Sequence, residues 1–117
     1  MIYFKTHISK IDWTIECFVT TDTSQLEEIL FKLENIGCSK SVIDRARIIL
    51  SEQYDSGFAY SNLKDRKSIM VINKSTSMEE FVNTYNHEKN HIEMHICESL
   101  GFDPYGEVAA DLSGCLA

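Results

Sequence analysis

The residues with the clearest chemistry are His87-Glu88-Lys89-Asn90-His91. Histidines at i and i+4 share one face of an α-helix, one turn apart, so both imidazoles can reach a single ion. Glu88 follows the first histidine and lies about 100° round the helix. From there it can touch a water on that ion without ligating the ion itself. The spacing is that of a zinc site, with His87 and His91 as ligands and Glu88 as the catalytic general base. A catalytic zinc ion takes three protein ligands plus water, so one ligand is missing from this stretch.

The chain just beyond supplies candidates. Gly101 reads as the glycine that ends the first helix, and Asp103-Pro104 as an N-cap followed by a proline at the first helical position. A second helix then carries Glu107 and Asp111, again at i and i+4 on one face. The short connection makes the two helices an antiparallel or steeply crossed pair. That face can be turned toward His87 and His91, with Glu107 as the third ligand. Asp103 is the rival third ligand, although its place before Pro104 suits a helix cap better.

H-E-x-x-H followed on a second helix by Glu-x-x-x-Asp resembles the arrangement of gluzincins, the thermolysin-like zinc metallopeptidases, in a minimal single-domain form. The resemblance covers the last third of the chain. It implies Zn2+ held by His87, His91 and Glu107, water activated by Glu88, and Asp111 hydrogen-bonded to His87 to orient it. The gap between His91 and Glu107 is shorter than in thermolysin, and Gly106 stands where thermolysin has an asparagine. The likeness is therefore one of constellation.

Other residues border this chemistry. His87, His91 and His95 form an i, i+4, i+8 ladder whose ends are ~12 Å apart at 1.5 Å per residue, so one ion cannot take all three. His95 is instead a candidate for the rim of the site or for binding substrate. Tyr105 is the nearest candidate donor to an oxyanion, with Tyr60 and Tyr85 behind it. His7 lies near a hairpin and reads as structural or solvated.

These groups need a scaffold, and the preceding chain describes one. Ile2 to Thr20 alternates apolar and polar residues with a turn at Ser9-Lys10, the pattern of two half-buried strands, although Phe18 falls on the polar side. Ser24 reads as the cap of a helix with Leu26, Ile29, Leu30, Leu33 and Ile36 on one stripe, stopped by Gly37. Ser39 or Ser41 opens a second scaffold helix, with Val42, Ala46, Ile49 and Leu50 inward. Residues 57–61 and 68–72 read as a second strand pair, one of which could offer its edge to an extended substrate. Ser77-Met78-Glu79-Glu80 is a capping box leading into the site helix, whose core stripe is Met78, Phe81, Val82, Tyr85, Ile92, Ile96 and Leu100. The fold expected is α+β: one zincin-like domain over residues 1–117, with a small antiparallel sheet, the H-E-x-x-H helix, and a following helix carrying the third ligand.

Bulk properties narrow the class. At 117 residues the chain makes one domain, and its 44% hydrophobic and 25% charged residues are those of an ordinary globular protein. The net charge of −7 argues against nucleic acid and anionic membrane surfaces as partners. No apolar run approaches the ~20 residues of a membrane span, and no signal peptide is evident. Cys17, Cys38, Cys97 and Cys115 show no C-x-x-C spacing and read as buried free thiols of a cytoplasmic protein. The expected function is zinc-dependent hydrolysis of peptide bonds, as limited cleavage of a specific intracellular peptide or protein partner. The alternative is a non-catalytic metal-binding or interaction module, toxin or regulatory protein, on a zincin-like fold. Nothing in the sequence fixes the oligomeric state.

Overall fold

The structure is a computed structural model that describes residues 1–101. Strands β1 (Ile2–Ile8) and β2 (Trp13–Thr21) form an antiparallel hairpin that reverses through residues 9–12. A single 3-10 turn, Thr23–Gln25, leads into α1 (Leu26–Asn35), followed by α2 (Lys40–Leu50). A second hairpin, β3 (Gly57–Asn62) and β4 (Lys67–Asn73), precedes the long helix α3 (Met78–Leu100).

The four strands make one sheet in the order β1-β2-β4-β3. Strands β2 and β4 are parallel, with Cys17 opposite Met70 and Phe18 opposite Val71. The sheet is therefore mixed, where an antiparallel one was expected. The reason is topological. Parallel neighbours need a long crossover, and α1 and α2 provide it, so that each local hairpin adds an outer strand to a parallel centre. This leaves β3 as an edge strand, and the edge matters for the site.

Helices cover both faces of the sheet. Toward α3 point Trp13, Ile15, Cys17 and Val19 from β2 with Met70 and Ile72 from β4, packed against Ile92, Ile96 and Cys97. Toward α1 and α2 point Phe18, Phe58, Ile69 and Val71, packed against Ile29, Leu30, Leu33, Ala46 and Leu50. Phe18 breaks the alternation of β2 because that strand is buried on both sides, and only the outer strand β1 retains a solvated face.

Local chemistry sets the helix ends. Asp22, rather than Ser24, caps the first helical turn: its carboxylate accepts from the Ser24 N–H, and Gln25 reaches back to the Asp22 N–H. Those bonds from Ser24, with Lys74 adding its charge, hold the Asp22 carboxyl down at about 2. Ser39 caps α2 and Ser77 caps α3, accepting from the N–H groups of Val42 and Glu80 respectively. Gly101 ends α3 with φ 73°, the left-handed conformation that glycine adopts without penalty.

Helix α3 departs from its expected core stripe at the start. Met78 and Val82 are 76% and 45% exposed, while Phe81 and Tyr85 pack only partly against the core. A helix of 23 residues is about 34 Å long, whereas a seven-residue strand such as β4 spans about 23 Å. The excess leaves its first turn with little sheet beneath it. Cys17 and Cys38 are buried free thiols, as expected, Cys97 is buried as well, and burial pushes the Cys17 thiol up to about 12. Among the described residues no helix is long and apolar enough to cross a membrane.

Candidate metal centre

Helix α3 lies against the edge strand β3, and the sequence explains how it comes so close. Gly57 opens β3 with no side chain. A Cβ there would stand 2.9 Å from Glu88 Cγ and 2.9 Å from Thr84 Cγ2. The side chains of Glu88 and Thr84 thus pack on the strand where the missing Cβ leaves room, and Glu88 fills the space. Glu88 is 6% exposed, the one buried carboxylate among the described residues.

His87 and His91 flank it. Their Nε2 atoms are 3.1 Å apart, and their rings meet edge to face with centroids 4.6 Å apart. Two nitrogens on one tetrahedral zinc ion, each bonded at ~2.0–2.1 Å, are about 3.3 Å apart. The pair is therefore spaced to share an ion with little adjustment. Together with the Glu88 carboxylate, the ligand-type atoms of this group lie within 4.8 Å of one another. The donor set, imidazole nitrogens with a neighbouring carboxylate, suits zinc among the common cations. His87 and His91 are both exposed, so the open side of the pair is reachable.

These residues line a cleft of about 290 Å³ with Gly57, Phe58 and Ala59 of β3, Arg45 and Ile49 of α2, and His95. Because its lining comes from α3 on one face of the sheet and α2 on the other, the cleft wraps the outer edge of β3. Burial raises the Glu88 carboxyl, and the neighbouring His87 and His91 oppose that rise. His95 is lowered by burial first and by His91 second, with Glu98 opposing. A base whose affinity for protons is lifted by burial is what proton abstraction near neutral pH requires.

The expected residues divide cleanly. His87, Glu88 and His91 are brought together, and His95 joins them one turn further along the same cleft. Tyr60 is instead packed against the α1–α2 core, its hydroxyl donating to the Gly37 carbonyl, and Tyr85 is packed against the α3 core, stacked on Phe81. Neither tyrosine lines the cleft. His7 is on the far hairpin, bonded to Thr14 and Asp12. Glu107, Asp111, Asp103, Tyr105 and Cys115 lie outside the described residues.

Three contributors escape a reading of the sequence. Arg45 lies off the apolar stripe of a scaffold helix, and Gly57 stands at the end of a short strand segment. Ser61 gave no signal, yet it bonds His95 Nδ1 at 2.8 Å. Only the placement of α2 and α3 on opposite sides of one strand edge brings them to the site. In comparisons with known proteins, the chain matches no family model, no curated protein and no solved structure.

Proposed function

We propose that the chain is a zinc-dependent peptidase of minimal gluzincin-like type. The observation that carries this reading is the His87–His91 pair, Nε2 to Nε2 at 3.1 Å, with buried Glu88 between it and the open edge of β3. His87 and His91 would hold the ion, with Glu107 as the third ligand and Asp111 orienting His87. When bound, zinc supplies a Lewis acid that polarises a carbonyl and makes water easier to deprotonate.

The chain's own groups do the rest. Glu88 accepts the proton of the attacking water, and its burial raises its affinity for that proton. It then delivers the proton to the departing amine, since a base in one half of hydrolysis is the acid in the other. The outer edge of β3 pairs with no strand among the described residues. An extended peptide can add there through main-chain hydrogen bonds, beside Glu88 and the two histidines. A substrate held this way is bound by its backbone over several residues, which suits limited cleavage of a protein partner at an exposed segment.

Metal analysis and a peptide-library cleavage assay test the reading together. Protein purified without added metal should carry about one zinc per chain. Glu88→Gln should keep that zinc and lose peptidase activity by ~10²–10⁴-fold. Glu107→Gln should weaken zinc binding itself. If Asp103→Ala releases the metal while Glu107→Gln does not, the third ligand is Asp103. Zinc bound with no cleavage that depends on Glu88 would return the chain to the metal-binding module without turnover.

A further inference from the structure

A chain of side-chain hydrogen bonds runs from the core to the cleft. Trp13 Nε1 donates to Ser68 Oγ at 2.9 Å, Ser68 Oγ is 2.7 Å from Ser61 Oγ, and Ser61 Oγ is 2.8 Å from His95 Nδ1. Trp13 is fully buried and Ser68 nearly so, and the four residues come from β2, β4, β3 and α3 in turn.

One arrangement of the protons uses every bond of this chain. The indole N–H can only donate, so Ser68 Oγ accepts from it. The Ser68 proton then has one acceptor among its recorded partners, Ser61 Oγ. Ser61 in turn has its own proton left for His95 Nδ1. The opposite order between the two serines would leave the proton of buried Ser68 without an acceptor among these partners, which protein interiors avoid. His95 Nδ1 is thereby an acceptor, and the proton of its neutral ring is on Nε2, the nitrogen left for the cleft that His95 lines.

Distance decides what that N–H can do. His95 is six residues along α3 from the midpoint of His87 and His91, about 9 Å along the axis. The His91 and His95 rings are stacked with centroids 6.4 Å apart, so His95 borders the metal pair one turn further along the cleft. An extended peptide advances about 3.3 Å per residue, which puts His95 opposite a position two to three residues from the bond being cut. Glu88 approaches Gly57 and His95 bonds Ser61, so α3 and β3 advance in the same direction and the peptide bed continues past His95.

We propose that the Trp13–Ser68–Ser61 relay fixes His95 as an Nε2–H donor that binds a main-chain carbonyl oxygen of the peptide, two to three residues from the scissile bond. His95 is thus a specificity determinant for substrate length and register, and Ser61 is a positioning residue acting through it. This rests on the peptidase reading of the cleft, but the relay itself can be measured without catalysis.

Long-range proton–nitrogen NMR on histidine-labelled full-length protein reads the tautomer directly. Wild type should show His95 protonated on Nε2 alone, and Ser61→Ala should erase that preference. A wild-type His95 protonated on Nδ1 would overturn the proposal. Kinetics on zinc-loaded protein then use two sets of fluorogenic peptides with one scissile pair, one set long enough to pass His95 and one ending short of it. His95→Ala should lower kcat/KM by ~5–10-fold on the long set, roughly one hydrogen bond, and by clearly less on the short set. His95→Gln, which retains an N–H donor, should recover part of the loss, with zinc content unchanged. Equal losses on both sets, or loss of zinc from His95→Ala, would overturn it. A wild type with no peptidase activity would remove the substrate role and the peptidase reading together, while the tautomer still judges the relay.

Discussion

Glu88, the proposed general base, is a burden on the fold that holds it. Its carboxyl is raised by burial, so ionising it costs more in the folded chain than in the unfolded one. The cost is absent below the unfolded carboxyl range, near pH 4, and is fully present once the pH has passed the raised folded value. In metal-free protein, Glu88→Gln should therefore melt at a higher temperature than wild type at pH 7. The gap should close as the pH is lowered toward about 4, which paired thermal melts across that range would show. A constant gap would mean that something other than the charge is responsible. Gly57 tests the same contact from the other side. With a Cβ 2.9 Å from Glu88 Cγ and from Thr84 Cγ2, Gly57→Ala must push α3 or the Glu88 side chain away from β3. We expect about 1–3 kcal/mol of destabilisation in denaturant unfolding, the usual range for overpacking. Because Glu88 is the displaced group, the proposed peptidase activity should also fall by more than the stability loss alone explains.

At the scale of elements, the sequence discloses each strand and helix but not how they are assembled. Periodicity and caps are local signals, so the two hairpins, the scaffold helices and the Gly101 stop of α3 are legible from neighbouring residues. The parallel pairing of β2 with β4 is a contact between distant segments, and no local pattern encodes it. The same holds for the cleft. His87, Glu88 and His91 can be found because helical geometry binds them together, whereas Arg45, Gly57 and Ser61 join them only through packing. Asn73 is the residue that secures this assembly around β3. Its buried amide nitrogen has the carbonyls of Leu50 and Glu52 and Ser56 Oγ within 2.7–3.1 Å, sharing its two protons, and its oxygen accepts from Thr21 Oγ1. One side chain thus ties the end of α2 and the entry to β3 to the ends of β2 and β4. Asn73→Ala should lower stability by about 2–4 kcal/mol in urea unfolding, since it orphans several buried partners at once. An effect under about 0.5 kcal/mol would show that water replaces those bonds at little cost.

For the molecule as a whole, the question is whether the metal would hold the fold together or work upon a fold already made. The two apolar clusters decide this physically. One packs β2 and β4 beneath α3 around Trp13, Ile15, Ile92 and Ile96, and the other packs the opposite face beneath α1 and α2 around Phe18, Leu33 and Leu50. Neither cluster includes His87 or His91, which are exposed in the cleft at the β3 edge. A zinc finger without its ion has no core left, but this chain keeps both. Zinc should then act as a ligand of the native state, adding RT ln(1 + [L]/Kd), or about 4 kcal/mol at a thousandfold excess over Kd. Chelation should lower the melting temperature by an amount that depends on free zinc while leaving one cooperative transition and an unchanged far-ultraviolet circular dichroism spectrum at 25 °C. The proposed peptidase activity should vanish under the same conditions and return when zinc is restored. If chelation instead abolishes the cooperative melt, the ion has a structural role. The His87–Glu88–His91 group would then be a closed site filled by a fourth ligand, and the peptidase assignment would fall with it.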